Sequence, residues 1–220
     1  MVIKLSGSLF DSDILEITKL SELIKKLVRE GVRFVLVAGG GAEARKFIKR
    51  GRRLGLDEST LDEIGIQVAR LNAMLLIGGL GDLAYPSVPT TLEELTLAFE
   101  TGKVVVLGGL HPGQSTNAVA ALAAERVKAD LFINATDVDG VYDRDPDLYP
   151  SAKLLSEIDL KELKRILGRT STKAGTYELL DPIALRIIER SKLKCIIVRC
   201  KADIIEKAIK GEKVGTVVVI

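Results

Sequence analysis

The chain lacks tryptophan and carries one histidine and two cysteines in 220 residues. No Ser/His/Asp arrangement can be built around the lone His111. The two thiols fit no zinc spacing. Cys195 and Cys200 stand in CIIVRC, which reads as a strand, and a separation of five residues puts them on opposite faces. A disulfide between them is not expected, and both read as small buried hydrophobes. Asparagine and glutamine are confined to Asn72, Asn117, Asn134, Gln67 and Gln114, while Lys, Arg and Glu are plentiful, a composition that fits a heat-adapted protein. Charge of one sign is also missing. The net charge is +2, with no basic excess of the kind that nucleic-acid binding needs. No uninterrupted apolar run of about 18 residues is visible, so no membrane span is expected. The opening Met1-Val2-Ile3-Lys4-Leu5 is too short and too soon interrupted for a signal peptide, which points to the cytoplasm. Neither G-x-x-x-x-G-K-[ST] nor a G-x-G-x-x-G after a strand occurs, which makes the usual P-loop and dinucleotide readings poor.

What is present is strand–helix alternation along the whole chain. VIKL at 2–5, VRFVLVA at 32–38, KVVVL at 103–107, LFINAT at 131–136, CIIVRC and GTVVVI read as strands. Between them lie helical patterns at 13–30, from the glycines after Ala38 to about Arg53, and near 116–128, 159–167, 182–191 and 203–210. Thr60 with Glu63, and Thr91 with Glu94, have the spacing of capping boxes. No repeat or linker appears, so residues 1–220 are expected to form a single domain of class α/β. Continuous apolar strands predict a mostly parallel central sheet with helices on both faces.

In such sheets ligands sit beyond the carboxyl ends of the strands. Four loops qualify: SGS at 6–8, GGG at 39–41, GGLHPGQST at 108–116 and TDVDGVYDRDP at 136–146. Each alone also reads as turn punctuation. Together, with helices following the second and third, they suggest phosphate cradles of backbone N–H groups. Lys4, two residues before SGS, reads either as a cation for a transferring phosphoryl group or as an edge-strand lysine facing water. Arg45, one turn into the helix after GGG, suits a bidentate phosphate contact. Asp62, expected in the first turn of its helix, suits a hydroxyl such as a ribose.

KLSGS, VAGGGAEAR, LDEIGIQVARLNAMLL, GGLHPGQST, TDVDGVYDRDP and AGTYELLDPIA, in this order, resemble the amino acid kinase superfamily, and within it the archaeal type of uridylate (UMP) kinases. The resemblance spans essentially the whole chain. It implies a three-layer α/β/α sandwich, transfer of the γ-phosphoryl of ATP to UMP, Mg²⁺ on the nucleotide phosphates with no metal site on the protein itself, and a homohexamer built from dimers. The N-terminal part would mainly hold UMP and the C-terminal part mainly ATP. Carried over by position, the resemblance implies that Lys4, Leu5, Ser6, Gly7 and Ser8 meet the ATP phosphates. Gly41 and Arg45 would meet ATP or the phosphate in flight, and Lys4 and Arg45 would be catalytic. Thr136, Tyr142 and Asp145 would hold the ATP base and ribose. On the acceptor side, Gly40, Asp62 and the run Leu110, His111, Pro112, Gly113, Gln114, Ser115 and Thr116 would hold UMP.

Two features depart from the superfamily pattern or stand outside it. Many members carry an aspartate that organises the catalytic lysines where this chain has Asn117, so an organiser lies elsewhere or is dispensable. Lys173 in RTSTKAGT reads either as a second cation near the phosphate or as a loop lysine. The rival readings are a kinase of the same superfamily acting on carbamate, N-acetylglutamate, aspartate or isopentenyl phosphate, and a nucleotide-binding sensor without turnover. An isopentenyl phosphate kinase would show a histidine in the helix after the glycines, where this chain has Ala42-Glu43-Ala44-Arg45.

Overall fold

The computed structural model describes residues 1–144, 146, 149, 151–167 and 179–220. In chain order the elements are β1 (Val2–Leu5), α1 (Ser8–Asp11), α2 (Ile14–Arg29), β2 (Val35–Ala38), α3 (Gly41–Arg53) and α4 (Glu58–Leu80). Then follow α5 (Leu92–Glu100), β3 (Val105–Leu107), α6 (Thr116–Arg126), β4 (Phe132–Thr136), β5 (Glu157–Asp159) and α7 (Leu160–Leu167). The chain closes with α8 (Pro182–Ser191), β6 (Cys195–Arg199), α9 (Ala202–Ile209) and β7 (Thr216–Val219).

The strands form one sheet in the order β3-β2-β1-β4-β6-β7-β5. Pairing is parallel from β3 to β6, and β7 joins β6 antiparallel. Side chains alternate across it. Val2, Val35, Val105, Phe132, Cys195 and Ile197 face a core shared with α5, α6, α7 and α8. Ile3, Leu36, Val106, Ile133 and Ile196 face a core shared with α2, α4 and α9. The result is the expected three-layer sandwich. Its central strands are apolar on both faces because helices cover both, with Lys4 and Asn134 as buried exceptions.

Two local expectations need correction. The N-cap of α4 is Asp57, whose carboxylate accepts from Thr60 N–H at 3.0 Å, so Thr60 lies inside the first turn and Asp62 in the second. An aspartate is as good a cap as threonine, and the earlier one wins. β5 was not foreseen. It has only three residues, and Ile158 alone is buried, so it carries no alternation long enough to read. Helix α4 is long and apolar enough to cross a membrane by length and composition alone. One face of α4 packs into the core through Ala73, Leu76 and Leu80, whereas Leu71, Met74 and Leu75 are exposed.

α5 has the expected cap: Thr91 accepts from Glu94 N–H at 3.1 Å. Thr91→Ala removes that acceptor, which costs about 1 kcal/mol. In a chain of this size the melting temperature should fall by about 2–4 °C. An unchanged melt would show that the cap contributes nothing.

Candidate active site

From β1 the chain steps outward to β2 and β3, then returns to place β4 on the other side of β1. That reversal opens a crevice beyond the carboxyl ends of β1 and β4. Ser6 and Asp137 leave these two strands within one residue of the same level, since Leu5 is in register with Ala135. Ser6 Oγ donates to Asp137 Oδ1 at 2.6 Å, and Ser8 Oγ donates to the same oxygen. Asp137 was not singled out from the sequence. The signal for it was its place one residue past β4, inside a loop already marked as functional.

Lys4 is 5% exposed on a central strand, between Val37 and Asn134, so it is no edge lysine. Burial pulls its ammonium below the ordinary 10.5, while Cys200 and Asp137 act in the opposite direction. Burial also pushes the Cys200 thiol up to about 11, so near pH 7 it is neutral. Of these two opposing groups, the Asp137 carboxylate therefore supplies the negative charge at neutral pH. The Cys195 thiol, in the opposite core, is likewise pushed up to about 12 by burial, and both cysteines are free.

The glycines of the first two loops are required by contact between backbones. A Cβ on Gly7 would lie 2.0 Å from Gly41 N, and one on Gly39 would lie 2.7 Å from Gly7 N. Gly41 also has φ +67°, a left-handed conformation that side chains resist. SGS and GGG are thus one continuous surface at the start of α3. A carboxylate already rests there. Ala42 N–H donates to both oxygens of Asp11, at 2.9 and 2.7 Å, and Arg45 Nη2 lies 3.8 Å from Asp11 Oδ2. Arg45 is half exposed and faces this cradle.

The third loop is carried by α4. Arg70 donates to Gly109 O at 3.1 Å and Leu110 O at 3.3 Å, and a Cβ on Gly108 would lie 2.6 Å from Arg70 N. Asp62 accepts from Gly113 N–H at 2.7 Å. Asn72 donates to Gly39 O at 2.8 Å. One helix therefore sets the spacing between the GGG loop and the loop Leu110–Thr116, a role for Arg70 and Asn72 that their plain helical pattern did not announce. Leu110 is buried, while His111, Pro112 and Gly113 are exposed, with Gly40, Gln114 and Thr116 between these extremes. The Ser115 hydroxyl caps α6, accepting from Asn117 and Ala118 N–H and donating to Asp181. It is fully engaged, so only the backbone of Ser115 is open to a ligand.

At the end of β4, Thr136 is buried and its hydroxyl has no partner among the described residues. Tyr142 donates to Asp139 Oδ2 at 3.2 Å, and Arg199 bridges Asp139 and the carbonyl of Asp137. Desolvation and then Asp139 raise the Tyr142 pKa, which keeps the hydroxyl a donor. Asp145 and Lys173 lie outside the described residues. Among those described, no group of three or more His, Cys, Asp or Glu could hold a metal. The hard oxygens of Asp137 and Ser8 beside the cradle suit a Mg²⁺ that arrives on nucleotide phosphates, since this ion keeps few protein ligands.

A buried lysine costs stability, and its direction with pH can be worked out. Because burial lowers the Lys4 pKa in the fold, the unfolded chain binds more protons between that value and 10.5, and stability rises with pH there. Lys4→Met should raise the melting temperature at pH 7 by about 2–4 °C, because Asp137 is exposed and can be rehydrated. The difference should shrink as pH approaches 10.5. A Lys4→Met protein that melts lower than wild type at pH 7 would contradict this.

The sequence pattern of the amino acid kinase family matches residues 1–199. The chain is 50% identical over 221 residues to the uridylate kinase of Sulfurisphaera tokodaii, spanning 99% of this chain and 98% of that protein. Its identity to the uridylate kinase of Metallosphaera sedula is also 50%, over 220 residues, with the same coverage. The crystal structure of uridylate kinase from Archaeoglobus fulgidus superposes with a TM-score of 0.89 at 41% identity over 99% of both chains. The UMP kinase of Bacillus anthracis, with a TM-score of 0.81 at 21% identity over 99% of this chain and 94% of that one, is a likeness of fold alone. By pattern, by full-length identity and by fold, the chain belongs to the amino acid kinase family.

Proposed function

We propose that the protein is a UMP kinase, transferring the γ-phosphoryl of ATP to UMP to give ADP and UDP for pyrimidine nucleotide synthesis. The observation that carries a phosphoryl transfer is the place of Lys4: buried at the topological switch point, beside the continuous SGS–GGG surface. UMP as acceptor follows from the relatives at 50% full-length identity, each named a uridylate kinase.

In this reading a UMP α-phosphate oxygen attacks the γ-phosphorus in line, and the bond to the β,γ-bridging oxygen breaks, leaving ADP. No general base is required, because the attacking oxygen is already anionic near pH 7. The work is to bring two polyanions together and to stabilise charge on the moving group. Lys4 and Arg45 supply cations, and Asp137 takes the organising place that Asn117 leaves empty. Leu5, Ser6, Gly7, Ser8 and Gly41 bind ATP phosphates, while Thr136, Tyr142 and Asp145 hold its nucleoside. Gly40, Asp62 and Leu110 through Thr116 hold UMP, and the Gly113 N–H donates to the Asp62 carboxylate, tying that loop to α4. Mg²⁺ on the nucleotide would neutralise phosphate charge. The chain acts as one domain, in the cytoplasm, where ATP is supplied.

We also infer a homohexamer built from dimers. The supporting feature is the exposed apolar stripe Leu71, Met74 and Leu75 on α4, which a second copy of the same face would cover.

A coupled ADP-release assay across UMP, CMP, dUMP, carbamate and N-acetylglutamate tests the acceptor. UMP should support turnover; ADP release with carbamate or N-acetylglutamate and none with UMP would refute the assignment. Lys4→Ala should lower kcat by roughly 10²–10³, the scale of losing one preorganised charge donor. Light scattering should give six chain masses for wild type, and a smaller assembly for Leu71→Glu/Met74→Glu. A wild-type monomer would rule out the hexamer.

A further inference from the structure

We infer that Asp11 is a built-in anion that holds the α3 cradle while the site is empty and competes with nucleotide phosphate for it. Its carboxylate takes the Ala42 N–H with both oxygens and lies 3.8 Å from the Arg45 guanidinium. These are an N–H and a cation that a phosphate at this helix terminus would use. The fit is close: a Cβ on Gly41 would lie 2.7 Å from Asp11 Oδ1. Asp11 ends α1, which begins at Ser8, so the SGS loop that presents Ser6 and Ser8 to the crevice also delivers this carboxylate.

A carboxylate and a phosphate cannot share one N–H and one guanidinium without strong repulsion, so arrival of one displaces the other. When a polyphosphate leaves, Asp11 returns and Arg45 regains a partner without waiting for solvent. The competition lowers the affinity of the cradle for ATP and for ADP alike, which favours release of a highly charged product. The inference rests on the phosphoryl-transfer reading of the cradle.

The test is calorimetric titration of the full-length protein with inorganic tripolyphosphate and with ADP. Asp11→Asn should bind tripolyphosphate about tenfold more tightly than wild type, the scale of one charge at a helix terminus. Asp11→Glu, which keeps the charge, should stay near wild type. Asp11→Ser keeps an acceptor for Ala42 and should tighten binding too; it answers the question if Asp11→Asn folds poorly. In an Arg45→Ala background the gain from Asp11→Asn should shrink severalfold. Unchanged or weaker binding by folded Asp11→Asn and Asp11→Ser would overturn the inference, making Asp11 a support for Arg45 instead. If wild type binds neither tripolyphosphate nor ADP, the cradle reading fails first and takes the inference with it.

Discussion

The contact between the backbones of Gly7 and Gly41 is the constraint on which the site depends. With no side chain between them, the turn after β1 lies directly on the start of α3. This brings the buried Lys4, the serine hydroxyls and the first turn of a thirteen-residue helix to one surface. The sheet order places that surface at its own switch point, where β1 and β4 part company. Any side chain at Gly7 would push the two loops apart and separate the cation from the helix terminus.

Around that contact, charge is arranged in opposed pairs. Burial pulls the Lys4 pKa down, and Asp137 acts against that pull. Arg45 and the α3 terminus are matched by Asp11. Helix α4 serves as the beam between the two halves, through Asn72 on Gly39, Arg70 on Gly109 and Leu110, and Asp62 on Gly113. The loop that the resemblance assigns to the acceptor is thereby fixed relative to the GGG loop, which carries Gly40 on the acceptor side and Gly41 on the donor side. A distance set by one rigid helix is what proximity catalysis needs.

The layers and the parallel sheet were legible because continuous apolar strands such as VVL and CIIVR allow few other burials. The loops at strand ends were legible for the same reason, as the chemistry of α/β sheets sits there. Asp137 was hidden because its role comes from register between β1 and β4, which are 130 positions apart in their paired residues Val2 and Phe132. Asp11 was hidden because it sits in a four-residue helix without periodicity, and its partners Ala42 and Arg45 lie across a loop contact. Asp62 was found, but its bond to Gly113 belongs to tertiary structure. Thr60 misled because local spacing does not say which of two good caps the chain takes.

With donor and acceptor on one surface, as proposed, the phosphoryl group passes directly between them with no covalent stop on the protein. The stereochemistry of transfer distinguishes direct passage from a relay. ATP made chiral at the γ-phosphorus with oxygen isotopes would be turned over with UMP, and the configuration at the β-phosphorus of the UDP determined. A single in-line displacement inverts the configuration, and inversion is the result expected here. Retention would mean two displacements through a phosphorylated side chain, and would contradict the account.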